Sequence, residues 1–216
     1  MNSTPRWPVV LFDFDGTLLN TIDGIVASYT YAWQTVSGRQ VTRLEILPWI
    51  GRTLEDVFAK EDLVNAAELE AVYLEHNAAT IAAAIRRYDG ISQLLQEMVD
   101  AGIRTGIVTA KRRNSVIPNM KLAGLPAETV LACAADDTDR HKPDPAPLLM
   151  GLAALNASVA GSLYVGDAIF DLQAAAAAGM DGIGVTWGAG APDQLRAQPH
   201  VAVVDTVAEL GEQLLG

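Results

Sequence analysis

The chain has 216 residues, half of them apolar, with 15 Lys and Arg against 26 Asp and Glu. That length supports one sizeable core and leaves room for a smaller accessory domain. The acidic balance, without a basic stripe, argues against a nucleic-acid partner, and no apolar run approaches a membrane span. Cys133 is the only cysteine, so no intramolecular disulfide can form. Within LACAA (131–135) it reads as a small buried side chain rather than a reactive thiol. The opening MNSTPRWP has no apolar signal region. The expectation is a soluble cytoplasmic protein.

In chain order, residues 9–14 (VVLFDF) form a short β-branched run typical of a buried strand. From about Thr21 to Arg87 the rhythm is helical and no strand candidate interrupts it. Ile22, Ile25, Val26, Tyr29, Trp33 and Val36 share one face. Thr42 and Glu45 have capping-box spacing. Leu74, Ala78, Ile81 and Ile85 form a second apolar stripe. After Asp89-Gly90 helices and strands alternate. Ile91, Leu94, Leu95, Met98 and Val99 mark a helix that stops at Gly102. A strand over 103–109, a helix over 114–123, a short strand at 129–133 and a helix over 145–156 follow. Then come SLYVG (162–166), an Ala-rich helix ending at Gly179, GIGVT (182–186), VAVV (201–204) and a helix over 206–215. This alternation indicates an α/β fold: a Rossmann-like, doubly wound, mainly parallel sheet. The helical block between its first and second strands is an inserted cap. The expected division is a core of 1–20 and 89–216 with a cap of 21–88.

Polar clusters fall at or just after the carboxyl ends of the expected strands. Asp13 and Asp15 close the first, Thr109 the second, and Asp167 follows SLYVG with Asp171 one helical turn on. Lys142 lies in HKPDP (141–145), before a helix. A doubly wound sheet gathers its strand ends on one edge, so these groups are expected to converge. Two neighbouring carboxylates repel unless a cation or proton intervenes. With Asp167 added and no His or Cys, the oxygen-rich set suits a hard cation, Mg²⁺ in particular when phosphate supplies further oxygens. Lys142 can offset the remaining negative charge. Thr109 and nearby backbone N–H groups can donate to phosphoryl oxygens, and Gly16 permits close backbone approach.

DFDGT (13–17), VTA (108–110), HKPDP (141–145) and GDAIFD (166–171) resemble, in order, the four motifs of the haloacid dehalogenase superfamily, in its large phosphatase branch. The resemblance covers essentially the whole chain, and the insertion resembles that family's small helical cap. GVTWG (184–188) adds a likeness to phosphoglycolate phosphatases and related pyrophosphatase-like members. The resemblance implies that Asp13 attacks phosphorus to form an aspartyl-phosphate. Asp15 would protonate the leaving oxygen and then activate water. Mg²⁺ would bind the Asp13 carboxylate, the Asp15 backbone carbonyl, Asp167 and a phosphate oxygen, with Asp171 orienting a water or Lys142. Asp15 favours phosphoryl transfer over dehalogenation, which needs no acid two residues on. Gly16, Ala110, Lys111 and Arg52 are the candidate phosphate and substrate contacts.

The chain departs from the family pattern at Ala110, Asn20 and Ala168. Each of these stands where relatives often carry Asn, an acidic residue, and Ser or Thr, respectively. Bland readings compete at several positions. Asp171 can simply favour a helix N-terminus, and Lys142 can be a solvated loop lysine. Arg52 can be a surface residue ahead of a helix capped by Thr53, and Lys111, Arg112 and Arg113 can line a solvated turn. His76, His141 and His200 do not cluster and take no metal. The tryptophans read as packing residues, with Trp49 a candidate for the seam between core and cap. The expected activity is a Mg²⁺-dependent phosphatase for a small phosphomonoester such as 2-phosphoglycolate, with pyrophosphate as an alternative substrate. Two further alternatives are a phosphosugar mutase of the β-phosphoglucomutase type and a non-catalytic Mg²⁺-binding signalling domain. The expected partner is a small phosphorylated metabolite, with neither nucleic acid nor membrane. Oligomeric state is not legible.

Overall fold

The structure is a computed structural model that describes residues 5–216. Its strands are β1 (Val9–Phe12), β2 (Leu19–Asn20), β3 (Arg86–Arg87), β4 (Arg104–Val108), β5 (Val130–Cys133), β6 (Ser162–Gly166), β7 (Asp181–Val185) and β8 (Ala202–Val204). Six of these, in the order β5–β4–β1–β6–β7–β8, form one wholly parallel sheet among the described residues. The chain leaves central β1, builds outward through β4 and β5, then crosses to β6 on the other side. The order therefore reverses around β1, and the crevice at its carboxyl end is the switch point where such sheets bind ligands.

A parallel sheet is covered on both faces, so its strands are apolar on both sides. In β1, Val10 and Phe12 pack on one face with α5 (Ile91–Asp100), α6 (Arg113–Ala123) and α10 (Val207–Leu215). Val9 and Leu11 pack on the other with α7 (Ala146–Ala154) and α8 (Ile169–Ala178). The period of two along an extended chain produces this division. Cys133 lies in the second core, and burial, then Asp137, pushes its thiol up to about 11. The inert reading holds.

Between β2 and β3 the chain forms α1 (Ile22–Ser37), α2 (Arg43–Ile46), a 3-10 turn (Leu47–Trp49), α3 (Leu54–Glu61) and α4 (Ala66–Ala84). This unit has its own core. Tyr29 is its centre, with ring centroids 4.7 Å from Tyr73, 5.3 Å from Trp49 and 5.4 Å from Phe58. Gly24 lets α1 and α4 meet closely, since a Cβ there would stand 2.4 Å from Ile81 Cδ1. The expected α1 stripe is on the buried side, and Thr42 with Glu45 forms the capping box.

Three expectations shift. The helical stretch is interrupted at its end by β3, which pairs antiparallel with β2. Two-residue strands are too short for any alternation to reveal. The buried line of α4 is Leu69, Tyr73, Asn77 and Ile81, rotated from Leu74, Ala78, Ile81 and Ile85. Alanines on every side of α4 leave little contrast to set its phase. A short helix, α9 (Pro192–Arg196), fills the β7–β8 connection, where no element is expected from the sequence. No helix among the described residues is long and apolar enough to cross a membrane.

Candidate active site

The ladder of β1 stops at Phe12, yet Asp13 N–H still donates to Val165 O at 2.8 Å, which fixes Asp13 at the sheet edge. The chain then turns on itself. Leu18 and Leu19 N–H both donate to Phe14 O, and Gly16, at φ +84°, donates to Leu19 O. A Cβ on Gly16 would stand 2.4 Å from Asp167 Oδ2. The close approach expected of Gly16 is thus to the Asp167 carboxylate.

Asp13 is 3 % exposed. Its Oδ1 lies 3.1 Å from Lys142 Nζ, which also donates to Asp171 Oδ1 at 2.6 Å and Tyr164 Oη at 3.1 Å. Tyr164 Oη–H in turn donates to Val108 O at 2.8 Å. Burial alone would lower the Lys142 ammonium, but Asp13 and Asp171 outweigh it and hold its pKa well above the usual lysine value. Lys142 is therefore a buried cation rather than a solvated loop lysine. Asp171 is equally committed, since its Oδ2 accepts Ala168 N–H at 2.8 Å at the start of α8. Both of its expected roles, holding Lys142 and serving a helix terminus, are present in one carboxylate.

Asp167 takes Thr17 Oγ1–H at 2.9 Å and Ala189 N–H at 2.7 Å, while its backbone oxygen accepts Gly190 N–H at 3.1 Å. The GVTWG segment thus leads into a loop that wraps Asp167, and Gly188 and Gly190 leave no room there for a Cβ. Sequence reasoning gave no role to this loop, to Thr17 or to Tyr164. The only available signals were a polar residue inside the buried strand SLYVG and the run of glycines. Burial first, then Asp171, pushes Asp167 up to about 7.

Carboxylate oxygens of Asp13, Asp167 and Asp171 lie within 4.8 Å of one another. Asp171 is engaged by Lys142 and Ala168 N–H, Asp13 by Lys142, and Asp167 by Thr17 and Ala189 N–H, so an ion here would take their remaining lone pairs. Hard oxygen donors with no His or Cys, in a buried cluster that raises the proton affinity of Asp167, fit a hard divalent cation.

The Asp15 carboxylate is not one of this cluster, though it borders the same cavity as Asp13. It accepts from Thr21 Oγ1 at 2.6 Å and from Lys111 Nζ at 3.0 Å. Thr109 accepts Lys111 N–H at 3.2 Å. The expected basic patch is divided, as Lys111 pairs with Asp15, Arg112 with Glu70 of α4, and Arg113 with Asp137. Asp13, Asp15, Thr109, Ala110 and Lys111 line one side of a cavity of about 490 Å³, and Tyr29, Trp49, Arg52, Glu70, Tyr73 and Asn77 line the other. Trp49 lines this cavity together with residues of the sheet domain. The Arg52 guanidinium stands 6.0 Å from the Phe170 ring centroid and pairs with no carboxylate among the described residues. The histidines stay apart: His76 packs in the helical unit, His141 borders the cavity and His200 lies at the far side of the sheet.

The sequence profile of haloacid dehalogenase-like hydrolases matches residues 10–185. Over 201 residues the chain is 32% identical to the pyrophosphatase PpaX of Bacillus mycoides, covering 93% of this chain and 94% of that protein. A solved haloacid dehalogenase-like hydrolase of Bacteroides fragilis superimposes with a TM-score of 0.87 at 28% identity, over 94% of this chain and 99% of the other. A Haemophilus somnus structure bearing the name phosphoglycolate phosphatase superimposes with a TM-score of 0.82 at 21% identity, over 97% and 99% of the two chains, a likeness of fold. Motifs, fold, clustered carboxylates and relatives agree that the chain belongs to the haloacid dehalogenase-like hydrolases and is an enzyme, a phosphatase of that family.

Proposed function

We propose that the protein is a Mg²⁺-dependent phosphomonoesterase that works through an aspartyl-phosphate on Asp13. The observation that carries this reading is the buried Asp13 carboxylate held 3.1 Å from Lys142, with Asp167 beside it and Asp15 facing the same cavity. Asp13 attacks phosphorus as the bond to the leaving oxygen breaks, and Asp15 gives that oxygen its proton. Asp15 then takes a proton from water, which attacks phosphorus, releases phosphate and regenerates Asp13. Because Thr109 Oγ1 already accepts Lys111 N–H, its own O–H is free to donate to a phosphoryl oxygen. The Ala110 N–H, Lys111 and Arg52 are the other phosphate contacts, while Gly16, whose N–H is taken by Leu19 O, shapes the turn against Asp167. Lys142 holds Asp13 in place and balances its charge. The Asp13 carboxylate, Asp167 and the Asp15 backbone carbonyl would hold Mg²⁺, which when bound supplies charge neutralisation to the transferring group. The unit 21–88 acts as a cap on the core of 1–20 and 89–216, enclosing the substrate so that water is excluded until hydrolysis.

A second reading, pyrophosphate hydrolysis, is favoured by the name of the relatives that are 32% identical. The test is phosphate release across phosphorylated metabolites and pyrophosphate, with and without Mg²⁺, for wild type and Asp13→Asn. We expect Mg²⁺-dependent release that Asp13→Asn abolishes. Full activity in that variant would sink the nucleophile assignment, and isomerised product in place of phosphate would indicate a mutase.

A further inference from the structure

On α4, Glu70, Tyr73 and Asn77 fall at i, i+3 and i+7, and all three border the cavity. Asn77 is 5 % exposed, and its orientation is fixed by a short chain of hydrogen bonds. Ser28 Oγ donates to Gly24 O at 2.8 Å, and a carbonyl can only accept, so the serine proton is spent. The two other neighbours of Ser28 Oγ must therefore donate. Asn77 Nδ2 does so at 3.1 Å, and His76 does so from Nδ1 at 3.2 Å. With Nδ2 on Ser28, the Asn77 Oδ1 has no hydrogen-bond partner among the described residues.

A buried amide with one locked end and one unpaired acceptor bordering a cavity is a site built for a donor. Its neighbours on α4 point to the leaving-group end of the cavity. Tyr73 and Asp15 line the same cavity, and Asp15 is the residue that meets the leaving oxygen. Glu70 adds acceptor oxygens, and Arg112 is already engaged with it. The unpaired cation Arg52 belongs to another element and stands over Phe170 of α8. The α4 wall thus offers acceptors and a phenol, with no free cation. Pyrophosphate presents almost only acceptor oxygens, so it can pair with the Tyr73 phenol and with Arg52 but not with Asn77 Oδ1.

We propose that the α4 wall selects a hydroxyl-bearing leaving group, with Asn77 Oδ1 as its fixed acceptor, so that the substrate is a hydroxylated phosphomonoester rather than pyrophosphate. The inference rests on the phosphatase reading above. Asn77 acts as a specificity residue, and Ser28 as the positioning residue that keeps the amide from turning.

The test compares kcat/KM for glycerol 3-phosphate and glucose 6-phosphate with that for propyl phosphate, which lacks hydroxyls, and for pyrophosphate. Wild type is expected to favour the better hydroxylated ester over propyl phosphate by about tenfold or more, the worth of one well-made hydrogen bond. Asn77→Leu and Ser28→Ala are each expected to shrink that ratio several-fold. Because the ratio is internal to each variant, a general loss of folded protein does not move it. Equal use of propyl and hydroxylated esters by wild type, or an unchanged ratio in Asn77→Leu, overturns the proposal. So does faster turnover of pyrophosphate, and if Asp13→Asn still abolishes that turnover the phosphatase reading survives. No Asp13-dependent phosphate release from any substrate overturns both.

Discussion

Gly16 and Lys142 are the two residues of the site for which the structure makes the sharpest demands. Gly16 combines φ +84° with a Cβ position only 2.4 Å from Asp167 Oδ2, so a side chain there meets both backbone strain and a buried carboxylate. Gly16→Ala is expected to cost about 1–3 kcal/mol in stability and to weaken divalent-cation binding. Chemical unfolding and titration calorimetry check the two effects separately. Lys142 is the buried partner of both Asp13 and Asp171. Lys142→Met leaves those carboxylates uncompensated, and a loss of about 3 kcal/mol is expected with turnover abolished. Unfolding midpoints that match wild type would show that the buried charge is not needed to balance the cluster.

At the scale of elements, the helical unit hangs on the two-stranded ribbon of β2 and β3. Tyr88 just beyond it donates to Trp187 O at 3.2 Å, and Trp187 Nε1–H donates to Thr17 O at 3.1 Å. One linker is thus bonded to the loop that wraps Asp167, and that loop to the turn that follows Asp13. Inside the unit, α1 and α4 meet at Gly24 against Ile81. The nearest atom is the flexible end of Ile81, and Ala is the better helix former by about 1 kcal/mol, so Gly24→Ala is expected to stay near wild-type stability. Gly24→Val adds bulk that this seam cannot absorb, and a loss of about 1–3 kcal/mol is expected. Melting curves for the pair decide it. Equal melting temperatures would show that the two helices are free to separate.

For the whole molecule, the acidic cluster ties stability to pH and to cations. Burial and Asp171 raise Asp167 from the ordinary 3.8 to about 7, so without a cation the folded chain binds a proton there that the unfolded chain releases. The Asp167 contribution to stability is full below about pH 3.8 and is lost as pH rises through about 7. A divalent cation displaces that proton, so its affinity is expected to climb with pH over the same interval. Melting temperatures from pH 5 to 8, with Mg²⁺ and with a chelator, check both signs. A Mg²⁺ stabilisation that does not grow with pH would count against Asp167 as the ligand.

The sequence alone carried the order of strands and helices in the sheet domain apart from α9, the inserted helical block and the residues that meet at the strand ends. These are local properties: buried strands are apolar runs, helices repeat at 3.6 residues, and a strand end is visible where such a run stops at an aspartate. The phase of α4 was not legible, because an alanine-rich helix looks similar from every side and only packing against α1 selects a face. The roles of Thr17, Tyr164 and the 188–190 loop were also out of reach, since each is a hydrogen bond between residues distant along the chain. The carboxylate, the lysine and their order were written in the sequence. Tertiary structure decided which oxygen each polar atom faces: Asp171 on Lys142, Asp15 on Lys111, Asn77 locked by Ser28. Hydrogen bonds act over about 3 Å, and only the folded chain sets distances on that scale.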